Sequence, residues 1–157
     1  MKRIGWIAFS SIFVIIGLIV MAFGITSLLE AEASKNWPST NAIIQSSEME
    51  RHYDSESGTT YSAEVTYEYS VEGDKITGNR IKFGEVSTGD SSDAGKYLNK
   101  YSEGKKVKAY YNTDDPYDSV LEPGIHGSTW FMPIFGFVFA LFGSVFILIG
   151  LFSKQLR

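Results

Sequence analysis

Two long runs without charge constrain this chain more than anything else in it. Ile4 to Leu29 is 26 residues, and Trp130 to Phe152 is 23, without one Asp, Glu, Lys, Arg or His. A helix needs about 20 apolar residues to cross the hydrocarbon core of a bilayer. The competing fate of such a run is burial in a large soluble core. A chain of 157 residues has too little interior to bury two of them. The spacing therefore predicts a membrane protein with two spanning helices, 4–29 and 130–152. They flank an inserted domain, 30–129, and leave short ends at 1–3 and 153–157.

The residues at the ends of the runs agree with this reading. Trp6, Trp37 and Trp130 all fall at or near the predicted membrane–water boundaries, where an amphipathic indole is favoured. Lys2 and Arg3 precede the first run, and Lys154 and Arg157 follow the second. Residues 30–45 hold only Lys35, and 114–129 hold no Lys or Arg. The positive-inside rule places both termini in the cytoplasm and residues 30–129 outside it. That intervening segment carries 10 Lys and Arg against 18 Asp and Glu, a charge of −8. An acidic domain is not drawn to anionic head groups. The overall charge of −4 also has the wrong sign for a nucleic-acid binder. One competing reading is a signal-peptidase site at Ala31-Glu32-Ala33. The apolar run before it is much longer than an h-region, and two glutamates crowd the site.

Small residues recur every seven positions in both runs: Ser10, Gly17 and Gly24 in the first, Gly136, Gly143 and Gly150 in the second. A seven-residue step drifts only about 20° around a helix, so each set forms a stripe on one face. Small residues let helices approach closely in lipid, where apolar burial drives little association. The expected arrangement is an antiparallel hairpin with Gly24 facing Gly136, Gly17 facing Gly143 and Ser10 facing Gly150. Stripes that dock another subunit are the alternative.

The inserted domain reads as α+β, mainly antiparallel β, in the order β-β-β-α-β-β. Either an open sheet or a partly closed barrel fits that order. Thr60 to Val71 alternates strictly between apolar and polar residues, the mark of a strand with one buried face. Glu72-Gly73-Asp74 predicts a tight turn, and Lys75 to Glu85 a return strand with a bulge near Gly78. Ala42 to Met49 is a weaker strand, joined to the strong one by a polar loop, 50–59. Ala94, Tyr97, Leu98 and Tyr101 have helical spacing, with Ser91 or Ser92 as cap. Lys106 to Tyr111 and Ser119 to Glu122 complete the strands, either side of a turn at 112–116.

Four stretches carry a resemblance. They are Trp37-Pro38 before Ala42-Ile43-Ile44; Val65-Thr66-Tyr67-Glu68-Tyr69 before Val71-Glu72-Gly73; Tyr101-Ser102-Glu103-Gly104-Lys105-Lys106-Val107 leading to Tyr110-Tyr111-Asn112; and Asp115-Pro116 before Ser119-Val120-Leu121. In these the chain resembles the DUF3592 family of bacterial and archaeal membrane proteins, which has no assigned function. The usual Tyr-Asn-Pro is here Tyr111-Asn112-Thr113. The resemblance implies the architecture and supplies no catalytic residue.

Chemistry is sparse. The chain has no cysteine, which excludes disulfides, a thiolate metal site and a cysteine nucleophile. His52 and His126 fall in separate predicted loops. Asp114-Asp115 lacks the oxygen spacing of a calcium loop, and Asp90 with Asp93 reads as first-turn helix charge. No phosphate loop, nucleophile elbow or zincin helix is present. The expectation is a non-enzymatic protein without cofactor or metal, partnered by the lipid bilayer and by a protein, a surface ligand or a second copy of itself. The candidate contacts are Tyr53 and Tyr110, with the 50–59 and 84–92 loops. Alternative roles are an accessory subunit docked through its glycine stripes, or an envelope immunity or stress factor.

Overall fold

A computed structural model describes residues 2–56, 58–85 and 87–152, with side chains from Gly5 onward. Lys154 and Arg157, on which the expected orientation partly rests, lie outside the described residues. The chain divides into two compact units, Met1–Leu29 with Thr129–Arg157, and Glu30–Ser128.

The first unit holds two long helices. Helix α1, Lys2–Ser34, runs five residues beyond the apolar stretch. Nothing in Glu30-Ala31-Glu32-Ala33 breaks a helix, and alanine favours one. The second long helix is the last in the chain, α3, Phe131–Phe152, preceded by a 3₁₀ turn over Gly127–Trp130. Gly5–Ser34 and Gly127–Phe152 are both long and apolar enough to cross a membrane.

The second unit is a five-stranded antiparallel sheet. Its strands are β1, Ser39–Asp54; β2, Gly58–Val71; β3, Asp74–Gly78; β4, Lys106–Tyr111; and β5, Ser119–Val120. They lie in the order β3-β2-β1-β4-β5. The order is not closed on itself, so the sheet is open and the barrel alternative falls. Helix α2, Ser91–Lys100, connects β3 to β4. Asp90, not Ser91 or Ser92, caps it, its carboxylate accepting from the Ser92 N–H at 2.8 Å.

Three further expectations need correction. The 50–59 segment is not a long loop: β1 continues to Asp54, paired residue by residue with β2 down to Gly58. His52 therefore sits in a strand. Its neighbours are polar on both faces, so no alternation marks the segment as extended. The return strand stops at Gly78. Beyond it the chain runs irregularly, and Ile81 and Phe83 are buried. The bulge lies in β1 instead, between Ile44 and Ser46. Ala42 and Ile44 share a face with Val65, Tyr67 and Tyr69; the bulge moves that face to Ser47, Met49 and Arg51. The Glu72–Gly73 turn has positive φ at both residues, 54° and 100°, the two-residue hairpin that matches strand twist.

Ala42, Ile44, Val65, Tyr67, Tyr69, Ile76, Ile81, Tyr101, Ala109 and Leu121 form the core on one sheet face, with Tyr97 and Leu98 of α2 packed against it. Tyr67 is fully buried, and its hydroxyl donates to the Arg80 carbonyl at 3.1 Å and lies 3.0 Å from Ser119 Oγ. Ala31, Phe83 and Val120 form a smaller cluster, with Trp37 and Tyr110 against it.

Candidate functional site

The second unit has a groove of about 780 Å³ between α2, the β1–β2 arm and the irregular segment after β3. Its size lies in the range of small-molecule and peptide pockets. The sheet supplies Glu50, His52, Tyr61 and Glu64; the irregular segment supplies Lys82, Glu85 and Thr88; α2 supplies Asp93, Lys96, Tyr97 and Lys100.

Each wall is held by local chemistry. A two-bond bridge between Tyr61 and Thr88, at 2.7 and 2.9 Å, ties the irregular segment to the free edge of β2. Glu85 accepts from the backbone N–H of Ile81 at 2.7 Å and of Lys82 at 2.8 Å, closing a tight turn. Burial nonetheless pushes its carboxyl above the usual value. Lys82 Nζ lies 4.7 Å from the Tyr97 ring centre and donates to the Tyr97 hydroxyl. On the helix, Lys96 pairs with Asp93 at 2.6 Å. Lys100 reaches Glu122 at 2.6 Å, and the Tyr101 hydroxyl donates to the same oxygen at 2.8 Å. The Ser128 hydroxyl, also lining the groove, is buried and has no hydrogen-bond partner. An unsatisfied buried hydroxyl costs free energy that a polar ligand can recover.

Burial pushes the Glu122 carboxyl up, but the Lys100 ammonium, the Tyr101 hydroxyl and His126 hold it below the usual carboxylate range. A depressed carboxyl contributes stability above its unfolded pKa and loses it as pH falls through the folded one. Glu122→Gln is therefore expected to cost about 1 kcal/mol at neutral pH. The two proteins should converge in acid, as read by urea unfolding of the full chain at several pH values. A difference that grows on acidification would refute this.

The residues singled out from sequence are dispersed. Tyr53 is 79% exposed near the tip of the β1–β2 arm. Tyr110 is half-buried in the smaller cluster, and Trp37 packs edge-on against Phe83 there. Trp6 and Trp130 are each about half exposed, and the Trp6 indole donates to the Phe146 carbonyl at 3.2 Å. Asn112, Asp114 and Asp115 shape the turn before β5, where the Asn112 and Asp115 side chains accept backbone N–H groups.

The glycine stripes do meet the opposite helix, but one turn out of the expected register. Gly17 lies on Ala140 and the Gly136 carbonyl, Gly136 on Met21, Gly24 on Pro133, Gly143 on Val14 and Gly150 on Trp6. Each contact is about three residues from the glycine-to-glycine pairing. Ser10 is buried, its hydroxyl bonded to the Trp6 carbonyl at 2.9 Å. Periodicity defines which face packs; the interdigitation of neighbouring bulk defines where along it.

Among the described residues no group of three or more His, Asp or Glu is placed to hold a metal. A family model described as "Domain of unknown function (DUF3592)" matches residues 40–126. The chain belongs to the DUF3592 family. A comparison with curated proteins gives no significant match. The DUF3592 match begins within β1 and ends at His126, so it spans nearly the whole sheet, α2 and all but one of the groove residues; Ser128 lies just beyond it. Lys82, Glu64 and Lys96 escaped the sequence reading because no motif joins them. Only the fold brings the three segments together.

Proposed function

We propose that this DUF3592 protein is a non-enzymatic membrane protein that presents residues 30–129 outside the cytoplasm and holds a polar segment of a partner protein, or a comparable surface ligand, in the groove. Both termini are cytoplasmic in this reading, on the strength of the Lys and Arg distribution. The carrying observation is the groove itself. It pairs tyrosine rings with carboxylates and ammonium groups of both signs and contains an unsatisfied hydroxyl. Such a lining suits a polar ligand better than a lipid chain. The accessory-subunit alternative loses support, because the glycine faces of α1 and α3 are taken up by each other.

A photo-reactive residue at Lys96 of the full chain in native membranes tests this. It should yield an adduct that the same residue at exposed Tyr117 does not give. Lys82→Glu, which reverses a charge on the groove wall, should reduce that adduct at least fivefold. Identical adducts from both positions, insensitive to Lys82→Glu, would overturn the groove reading.

A further inference from the structure

The β1–β2 arm has an unpaired edge. β4 pairs with β1 only over Ser39–Ile43, and Ile44 bonds the backbone of Gly104 and Lys105. Beyond the bulge, no strand among the described residues lies along that side of β1. The direction of the edge groups follows from β2. Tyr61 gives both its N–H and its C=O to Thr88, away from β1. Its direct partner across the ladder is Arg51. In an antiparallel pair, opposite residues either exchange both bonds or both point outward. Arg51 therefore points outward, and so, by alternation, do Ser47, Met49 and Tyr53. Residues 46–54 contain no Lys and no Pro, two common guards of an edge strand; the guards present are the bulge between Ile44 and Ser46 and the charges of Glu48, Glu50, Arg51 and Asp54.

We propose that this edge pairs with the same edge of a second copy, antiparallel about a two-fold axis at Glu50. Only registers that oppose outward residues to outward residues are allowed. The one centred on Glu50 uses all four: Ser47 faces Tyr53 of the other copy, and Met49 faces Arg51, each twice. Side chains agree on both faces. Glu48 meets His52 of the other copy in two equivalent pairs, and the exposed Tyr53 ring gains a neighbour. The register centred on Met49 sets Glu48 against Glu50 twice, and the one centred on Arg51 sets Arg51 against itself and Glu48 against Asp54 twice, beside two Glu50–His52 pairs. Both are disfavoured, since like charges directly opposite destabilise a sheet. The chosen register keeps a single adverse contact, Glu50 on Glu50, which makes the association reversible. Glu50 and His52 also line the groove, so pairing of this edge and binding in the groove share these two residues.

The absence of cysteine makes the test direct. In the full chain reconstituted in vesicles, Glu50→Cys places two thiols opposite each other at a spacing that disulfides accept. Mild oxidation should give a covalent dimer at least tenfold faster than with Ser62→Cys on β2 or Tyr117→Cys on a loop. Adding Met49→Pro removes one outward N–H per copy and no β1–β2 bond, and should abolish the dimer while Trp37 fluorescence is unchanged. As a measurement without cysteine, energy transfer between labelled copies should rise with protein density, and Glu50→Gln should lower the midpoint density at least threefold. A Glu50→Cys chain that cross-links no faster than the controls, or energy transfer absent at every density, would overturn the proposal.

Discussion

Tyr67→Ala is expected to destabilise the second unit by about 3–5 kcal/mol, the range for emptying a fully buried aromatic site. The ring lies beside Tyr69, centroids 5.9 Å apart, and no part of it reaches solvent. Its loss would also remove one hydrogen-bond partner of the Ser119 hydroxyl, which Tyr67 meets at 3.0 Å in the buried interior. Tyr67→Phe separates the two contributions. It keeps the ring and deletes the hydroxyl, and should cost about 1–2 kcal/mol. Urea unfolding of the full chain in detergent, followed through Trp37, measures both, because Trp37 packs on Phe83 within this unit. Equal costs for the two variants would show that the hydroxyl rather than the ring anchors the core. Gly78 belongs to the same construction: a Cβ there would run into the Tyr67 ring and Ser119 Oγ.

Gly17→Leu is expected to weaken the α1–α3 pair by about 3 kcal/mol, at the upper end for overpacking a close contact. A Cβ at Gly17 meets backbone atoms of Ala140 and Gly136, which no rotamer change can move aside. Gly5 is the control within the same helix, since a Cβ there meets nothing within 4 Å. Gly5→Leu should change little. Unfolding in sodium dodecyl sulfate, read through Trp6 against Phe146, measures the difference; equal effects at the two glycines would remove the packing account. Cysteine pairs give the register. The pair at 14 and 143 should oxidise faster than the pair at 17 and 143.

How much is legible in the sequence depends on what each element needs. The two long helices are legible because an uninterrupted run of more than 20 uncharged, apolar residues has the length and composition of a helix that could cross a membrane. Helix α2 and strand β2 are legible because one buried face imposes a period, as in Ala94-Tyr97-Leu98-Tyr101 and in Tyr61 to Val71. The β1 extension is not. Glu48 to Asp54 has no buried face, so its extended state comes entirely from backbone pairing with β2. The segment after Gly78 misleads because Ile76 and Ile81 are both buried without belonging to one strand. The groove is invisible in sequence for a related reason. It joins Glu64, Lys82 and Lys96, whose proximity depends on the Tyr61–Thr88 bridge and on the packing of α2.

The smallest of these tertiary contacts has the widest reach. Ser34 Oγ accepts the Gly124 N–H at 2.9 Å and donates to the Ala31 carbonyl at 2.7 Å. One buried hydroxyl thus fastens the point where the chain enters the second unit to the point where it leaves. Ninety residues separate Ser34 from Gly124, and closing a flexible loop of that length costs roughly 4 kcal/mol in chain entropy. Once the unit has folded, that entropy is already spent, and the two apolar helices tethered at its ends meet at high effective concentration. The folded insert acts as a clasp on its own hairpin. A substitution at Ser34, the last residue of α1, should therefore register in the encounter of α1 with α3.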